Sequence, residues 1–163
     1  RGYLTWQVAS HPFIVISFDC LIKVFIVDMA TLRIERDFHT IFMSYQTQAE
    51  ALGLTFQKQT PGYLNLCIRA GTQLITSGHV SDLKGKLGDG LSVEEGYQAA
   101  RNCTEKILRS VLDTHGTLDG LRVIKVLGCV NSTLEYSDQH LVINGCSDLL
   151  HEIFGKEGDG YHA

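Results

Sequence analysis

The spacing of apolar residues changes once between residues 121 and 155, and the change separates two elements. In residues 121–130, Leu121, Val123, Leu127 and Cys129 alternate with Ile124, Val126 and Val130, the pattern of a strand covered on both faces. After a polar run ending at Ser137, the residues Leu141, Val142, Cys146, Leu149, Leu150, Ile153 and Phe154 recur at helical spacing. Ser137 is placed to cap this helix, Asp138 suits its positive end, and Gly155 is suited to the left-handed turn that ends it. A second stripe, Tyr97, Ala100, Cys103, Thr104, Ile107, Leu108 and Val111, follows the capping box Ser92 to Glu95 and stops near His115 and Gly116.

Upstream the pattern turns to short β-rich runs. Residues 65–70 and 74–80 flank Gly71, Thr72 and Gln73 and predict a β-hairpin. Residues 48–54 predict a short helix, and residues 13–18, 22–28 and 33–38 three strands. The order hairpin, helix, strand, helix implies helices packed on one face of a sheet. Residues 13–30 are the most hydrophobic run, but Asp19, Lys23 and Asp28 interrupt them. A charge near mid-bilayer costs about 2.5–3.5 kcal/mol, so this is a poor membrane span, and it lacks the flanks of a signal peptide. Gly85, Gly88 and Gly90 sit in a polar loop without the Lys-Ser/Thr of a phosphate-binding loop, which makes them turn residues.

Composition narrows the function classes. With 163 residues, 44% of them hydrophobic, the chain supports one ordinary core. A net charge of -4 argues against a nucleic-acid footprint, which rests on clustered Lys and Arg. Five widely spaced cysteines without a CxxC read as buried free thiols in a reducing, cytoplasmic setting, Cys129 and Cys146 being inert core thiols. His140 and His151 are separated by about 16 Å along one helix and cannot share a metal ion. Ser77 and His79, two apart around Gly78, have no strand-to-helix elbow and make no hydrolase triad. Asn144 lies close to the apolar stripe of the last helix; it is either an amide satisfied by backbone or a ligand-facing amide at a pocket wall.

Two resemblances follow. Residues 17–31 resemble the end of one WD-repeat blade, with no second copy in the chain. Over residues 49–163 the motifs LITSGH (74–79), EGYQAARNC (95–103), VIKVLGCVNS (123–132) and VINGCSDLL (142–150), with Phe154-Gly155, resemble the Rid family. This family, also called YjgF or L-PSP endoribonuclease, is matched here in its chorismate mutase-like branch. The resemblance implies a bacillus-type chorismate mutase-like α+β fold, a mixed sheet with two helices on one face. It implies a homotrimer with ligand clefts between subunits, and hydrolysis of enamine or imine intermediates such as 2-aminoacrylate to 2-keto acids and ammonia. No cofactor, metal, nucleic acid or membrane is implied.

Carried over by motif, Gly78 matches a strand-end glycine whose backbone faces the ligand, and Asn144 the helix asparagine at the cleft. Tyr63 is one residue out of register with a cleft tyrosine, Leu64 taking the ungapped position. The family's substrate-carboxylate arginine and a late glutamate fall beyond Ala163, so no catalytic side chain is identifiable in this chain. The sequence thus leads one to expect an extension over residues 1–45, a Rid-like domain over 46–163 lacking its last strands, marginal stability and weak or absent deaminase activity. The alternative is a non-catalytic trimeric module that binds a small metabolite or a protein. The ribonuclease suggested by the older family name fits poorly with the acidic composition.

Overall fold

In the computed structural model, which describes residues 20–28, 44–56 and 62–163, the sheet is built around β1 (Cys20–Asp28). Its side chains alternate strictly: Cys20, Ile22, Val24, Ile26 and Asp28 are buried, and the odd-numbered residues between them are half-buried. Downstream come α1 (Tyr45–Ala51), β2 (Cys67–Ala70), β3 (Gln73–Thr76) and β4 (His79–Val80). Then follow β5 (Lys86–Leu87), β6 (Gly90–Leu91), α2 (Val93–His115), β7 (Leu121–Val130) and α3 (Gln139–Phe154), with a π-helical turn over Gly155–Asp159.

β1 is hydrogen-bonded along both edges, antiparallel to β7 on one side and to β3 and β4 on the other, and β2 pairs with β3 outside them. The sheet is mixed only where Ala163 donates its N–H to Ile124 O (3.1 Å) and accepts at its carbonyl from Val126 N–H (2.9 Å). That alternation is a single parallel bridge opposite Lys125, at the edge of a sheet whose strand pairings are all antiparallel. The buried side of β1 meets α2 and α3 in one core with Leu74, Leu121, Val123, Ile107, Leu108, Leu149 and Leu150. Asp28, buried at the end of β1, is neutralised by Arg69 of β2 at 2.6 Å.

The α+β architecture with two helices on one face is therefore as the sequence implies. The capping box is present: Ser92 Oγ accepts from Glu95 N–H (3.2 Å), and Glu95 Oε2 accepts from Ser92 N–H (2.9 Å). Gly116 ends α2 with φ 90°. The hairpin is also found, closed by Gly71 and Thr72.

Several details differ. α1 begins at Tyr45 rather than residue 48 because Ser44 Oγ caps it from outside, accepting from Thr47 N–H at 3.1 Å. α3 is capped by Asp138, not Ser137, and without a side-chain bond, while Gly155 does take a positive φ of 87°. β7 is covered on one face only, since both helices lie on the same side of the sheet. The largest correction concerns residues 22–28. The sequence reading set them in an extension ending at residue 45; the structure builds them into the middle of the sheet. The strands expected at 13–18 and 33–38 lie outside the described residues.

The two helices touch through a glycine. A Cβ on Gly145 of α3 would stand 2.1 Å from Tyr97 O and 3.3 Å from Ala100 Cβ of α2, so the interhelical distance depends on its absence. Around this contact Tyr97 donates to Asp148 (2.9 Å) and Arg101 forks onto Glu152 (2.9 and 2.7 Å). These exposed pairs orient the helices but contribute at most about 1 kcal/mol each. Gly145→Ala is therefore expected to destabilise the fold by about 2–3 kcal/mol in urea unfolding, since backbone must move. Gly62→Ala, with nothing within 4 Å of its Cβ, should shift stability by no more than about 0.5 kcal/mol.

Candidate functional site: the sheet break and the open face

Between Thr76 and His79 the strand beside β1 lets go of it. β3 pairs with Phe25, Ile26 and Val27, and β4 with Leu21 and Ile22. The backbone of Val24 falls in the gap and is satisfied by a side chain instead. Thr76 Oγ1 accepts from Val24 N–H (2.8 Å) and donates to Val24 O (3.1 Å), both buried. Ser77 N–H turns outward to Leu66 O at 2.8 Å, which ties the segment carrying Tyr63 to the break.

Gly78 occupies the break itself. A Cβ there would stand 2.3 Å from Leu21 Cδ1, so the glycine leaves bare backbone beside Leu21. Leu21 pairs with Val80 on one side and Cys129 on the other, and this row lies on the face away from the helices. The same face carries Phe25, Val27 and Ile75, half-buried, with Ile68, Ile124 and Leu127 each close to half exposed. A register shift in β7 next to Val123 puts both Ile124 and Lys125 on this side. Its charged positions are Lys23, Lys125 and Arg122; among the described strand residues of this face there is no carboxylate.

The residues singled out by sequence are distributed unevenly over this geometry. Tyr63 is fully exposed, and its segment adjoins Gly78. Asn144 is exposed on α3, 200° around the helix from buried Val142 at 100° per residue, and so off the apolar stripe it was thought to border. Its neighbour Ile143 fills the space over Gly128 on the helix side of β7. No hydrogen bond among the described residues joins Asn144 to Gly78 or Tyr63.

Cysteine and histidine behave differently from one another. Cys20, Cys67, Cys103 and Cys146 are buried, and burial pushes the Cys146 thiol up to about 12. Cys129, expected in the core, is exposed on the open face. His79 points into the helix layer, where its Nδ1 lies 3.1 Å from Ser77 O and its Nε2 is buried without a partner. Burial pushes its pKa down, and the nearby Lys106 cation adds to this. Among the described residues no cluster of three or more His, Cys, Asp or Glu could hold a metal ion, and no helix is long and apolar enough to cross a membrane.

Known proteins share this arrangement. A "putative endoribonuclease" from Shewanella oneidensis superposes with a TM-score of 0.66 at 28% identity, over 74% of this chain and 85% of that one. This likeness supports the resemblance to the Rid (YjgF/L-PSP) family. A second structure, the protein Atu1372 of unknown function from Agrobacterium tumefaciens, superposes at a TM-score of 0.60 and 29% identity, covering 74% of this chain and 79% of that one. Protein TCP17 of Trypanosoma cruzi is 38% identical over 101 residues, which are 58% of this chain and 62% of TCP17. The chain thus spans less than two thirds of that relative's length, and no protein-family model matches it.

Sequence reasoning missed the part that β1 plays in this sheet, although one signal was present. Lys23 shares a register with Leu21, Phe25 and Val27, so that register could not face the helix core.

The buried imidazoles set a pH dependence. His162 has both ring nitrogens buried without partners and stacks on His151 (5.6 Å between centroids). Burial, then the neighbouring His151, pushes its pKa below the usual 6.5. For His79 and His162 the unfolded chain takes up the proton more readily than the folded one, so stability is complete above 6.5 and falls as pH drops through that value. The carboxyls of Asp82, Glu95 and Glu152, held low by Lys106, the Ser92 amide and Arg101 respectively, lose their contribution only in a more acidic range. Glu105, raised by burial, works in the opposite sense and offsets part of the loss. Urea midpoints should therefore fall between about pH 7 and 5, and His79→Gln with His162→Gln should flatten that slope.

Proposed function

We propose that this chain is a Rid-type imine and enamine deaminase module, working as a homotrimer whose ligand clefts form where open sheet faces meet. The observation that supports this reading is the uncovered face itself. Apolar side chains of β1, β2, β3 and β7 stand there in register rows beside the Gly78 break, with Ile68, Ile124 and Leu127 close to half exposed. A second copy of the same face would cover it, since a sheet apolar on both sides requires a second layer. Assembly would also let Asn144 of one subunit approach Gly78 and Tyr63 of another.

The chemistry needs few groups. 2-Aminoacrylate tautomerises to its imine, water adds to the C=N carbon, and the C–N bond of the carbinolamine breaks to release ammonia and a 2-keto acid. A cation must hold the carboxylate and a polar wall must orient the imine and the water. Lys23, between Leu21 and Phe25 on the open face, supplies a cation in this reading, and bare backbone at Gly78 supplies polar groups. The product is a small 2-keto acid, and the setting a reducing cytoplasm suited to five unpaired cysteines. Nucleic acid is not a partner in this reading, given the net charge of -4.

Sedimentation should show a trimer that Leu127→Asp dissociates. 2-Aminoacrylate generated in place from serine by a pyridoxal-phosphate dehydratase should be cleared faster with the chain present, and Lys23→Gln should reduce that effect at least about tenfold. Saturable binding of 2-keto acids by the trimer without any turnover would favour the alternative, a non-catalytic binding module. A monomer in which Leu127→Asp changes nothing would remove the basis of both.

A further inference from the structure

The helix layer, on the far side of the sheet from the open face, contains a second polar site. The loop after α1, from Leu52 to Phe56, lies beside Glu105, Lys106 and Arg109 of α2, and together they enclose a cavity of about 260 Å³. Glu105 and Arg109 are four residues apart on a helix and share a face, so their charged ends reach the same space.

The charges in this cavity are unequally committed. Lys106 Nζ already donates to Val80 O (2.9 Å) and to Asp82 Oδ1 (2.7 Å). Arg109 is different: its side chain is only 12% exposed, and its Nε is buried without a hydrogen bond. Its ion-pair partner, Asp113, stands 3.6 Å away, beyond hydrogen-bonding reach. A guanidinium carries five donors, and leaving one of them, Nε, buried without an acceptor is costly.

Glu105 is half-buried on the same wall and forms no hydrogen bond among the described residues. Burial raises its carboxyl above the usual range, and the cations of Arg101 and Lys106 only partly counter this. Arg101 is itself forked onto Glu152. Although their spacing permits it, no ion pair joins Glu105 to Arg109 among the described residues. A guanidinium with only a long contact to Asp113 and a carboxylate without a donor thus line one small space.

We infer that this cavity is a binding site for a small α-amino acid, its carboxylate held by Arg109 and its ammonium by Glu105. A plain carboxylate would pair with Arg109 but stand beside the unpaired Glu105. A plain amine would reach Glu105 but face Arg109 and Lys106. Only a zwitterion satisfies both ends, and Leu54 and Phe56 of the loop give a short side chain apolar contact. The site does not depend on the deaminase reading, since it uses no residue of the open face.

Isothermal titration of the full chain at about pH 7.5 tests this with L-alanine, acetate and ethylammonium as probes. L-Alanine is expected to bind saturably, with acetate and ethylammonium each weaker by about tenfold or more. Arg109→Gln and Glu105→Gln should each cost L-alanine about tenfold or more, with urea unfolding confirming that the variants fold. Glu105 is half-buried without a hydrogen bond, so its variant keeps the test sharp even if the arginine variant fails to fold. Absence of saturable L-alanine binding, acetate binding as tightly as L-alanine, or unchanged affinity in Glu105→Gln would each overturn the assignment.

Discussion

The two faces of β1 impose the condition that the rest of the structure meets. One face, Cys20 to Asp28 in even numbers, is buried against α2 and α3 and joins nearly every apolar residue of those helices into one core. Burial of a side chain such as Ile22 or Ile26 contributes about 1.5–3 kcal/mol, and a strand paired on both edges leaves little backbone unsatisfied. The positions of β7, β3 and β4 follow from the hydrogen-bonding edges of β1, and those of the helices from its buried face. Where β3 and β4 fail to pair with it, a buried threonine hydroxyl substitutes for the missing ladder bonds at Val24.

The opposite face of the same strand carries the functional question. Its apolar rows and its cations are incompatible with a covering layer from the described part of the chain, because both helices are already spent on the other side. The Gly78 break belongs to this face through Leu21, so the glycine that the family motif marks and the surface that asks for a partner are one feature. A cleft built at that meeting would draw its polar groups from irregular backbone and its specificity from the neighbouring subunit.

How far the sequence could be read follows from which interactions are local. The capping box at Ser92, the glycine at Gly116 and the hairpin at Gly71 are settled within a few residues, and all are found. The position of β1 is a pairing between residues about fifty to a hundred apart along the chain, and its alternating pattern says only that it is a strand. In β7 the apolar residues on both faces suggested two covering layers. Composition cannot say whether the second layer comes from the same chain or another, so Leu127 and Cys129 were assigned to a core they do not enter. Asn144 lies off the apolar stripe for a different reason: each step along a helix turns about 100°, so adjacency to Ile143 and Gly145 in sequence does not put it on their face.

The helix layer shows the same economy on its outer side. α2 uses Cys103, Ile107 and Val111 for the core, Arg101 to grip α3, and Lys106 to hold the turn after β4. That leaves Glu105 without a donor and Arg109 with only a long contact to Asp113 among the described residues. Helix periodicity explains why they coincide: positions 105 and 109 lie on one side of a stripe whose centre is fixed by burial. The buried Nε of Arg109 lacks a hydrogen bond, which is unfavourable, and it is tolerated where an acceptor reaches it. Under the readings proposed above, this group and the open sheet face are parallel cases, each completed from outside the chain.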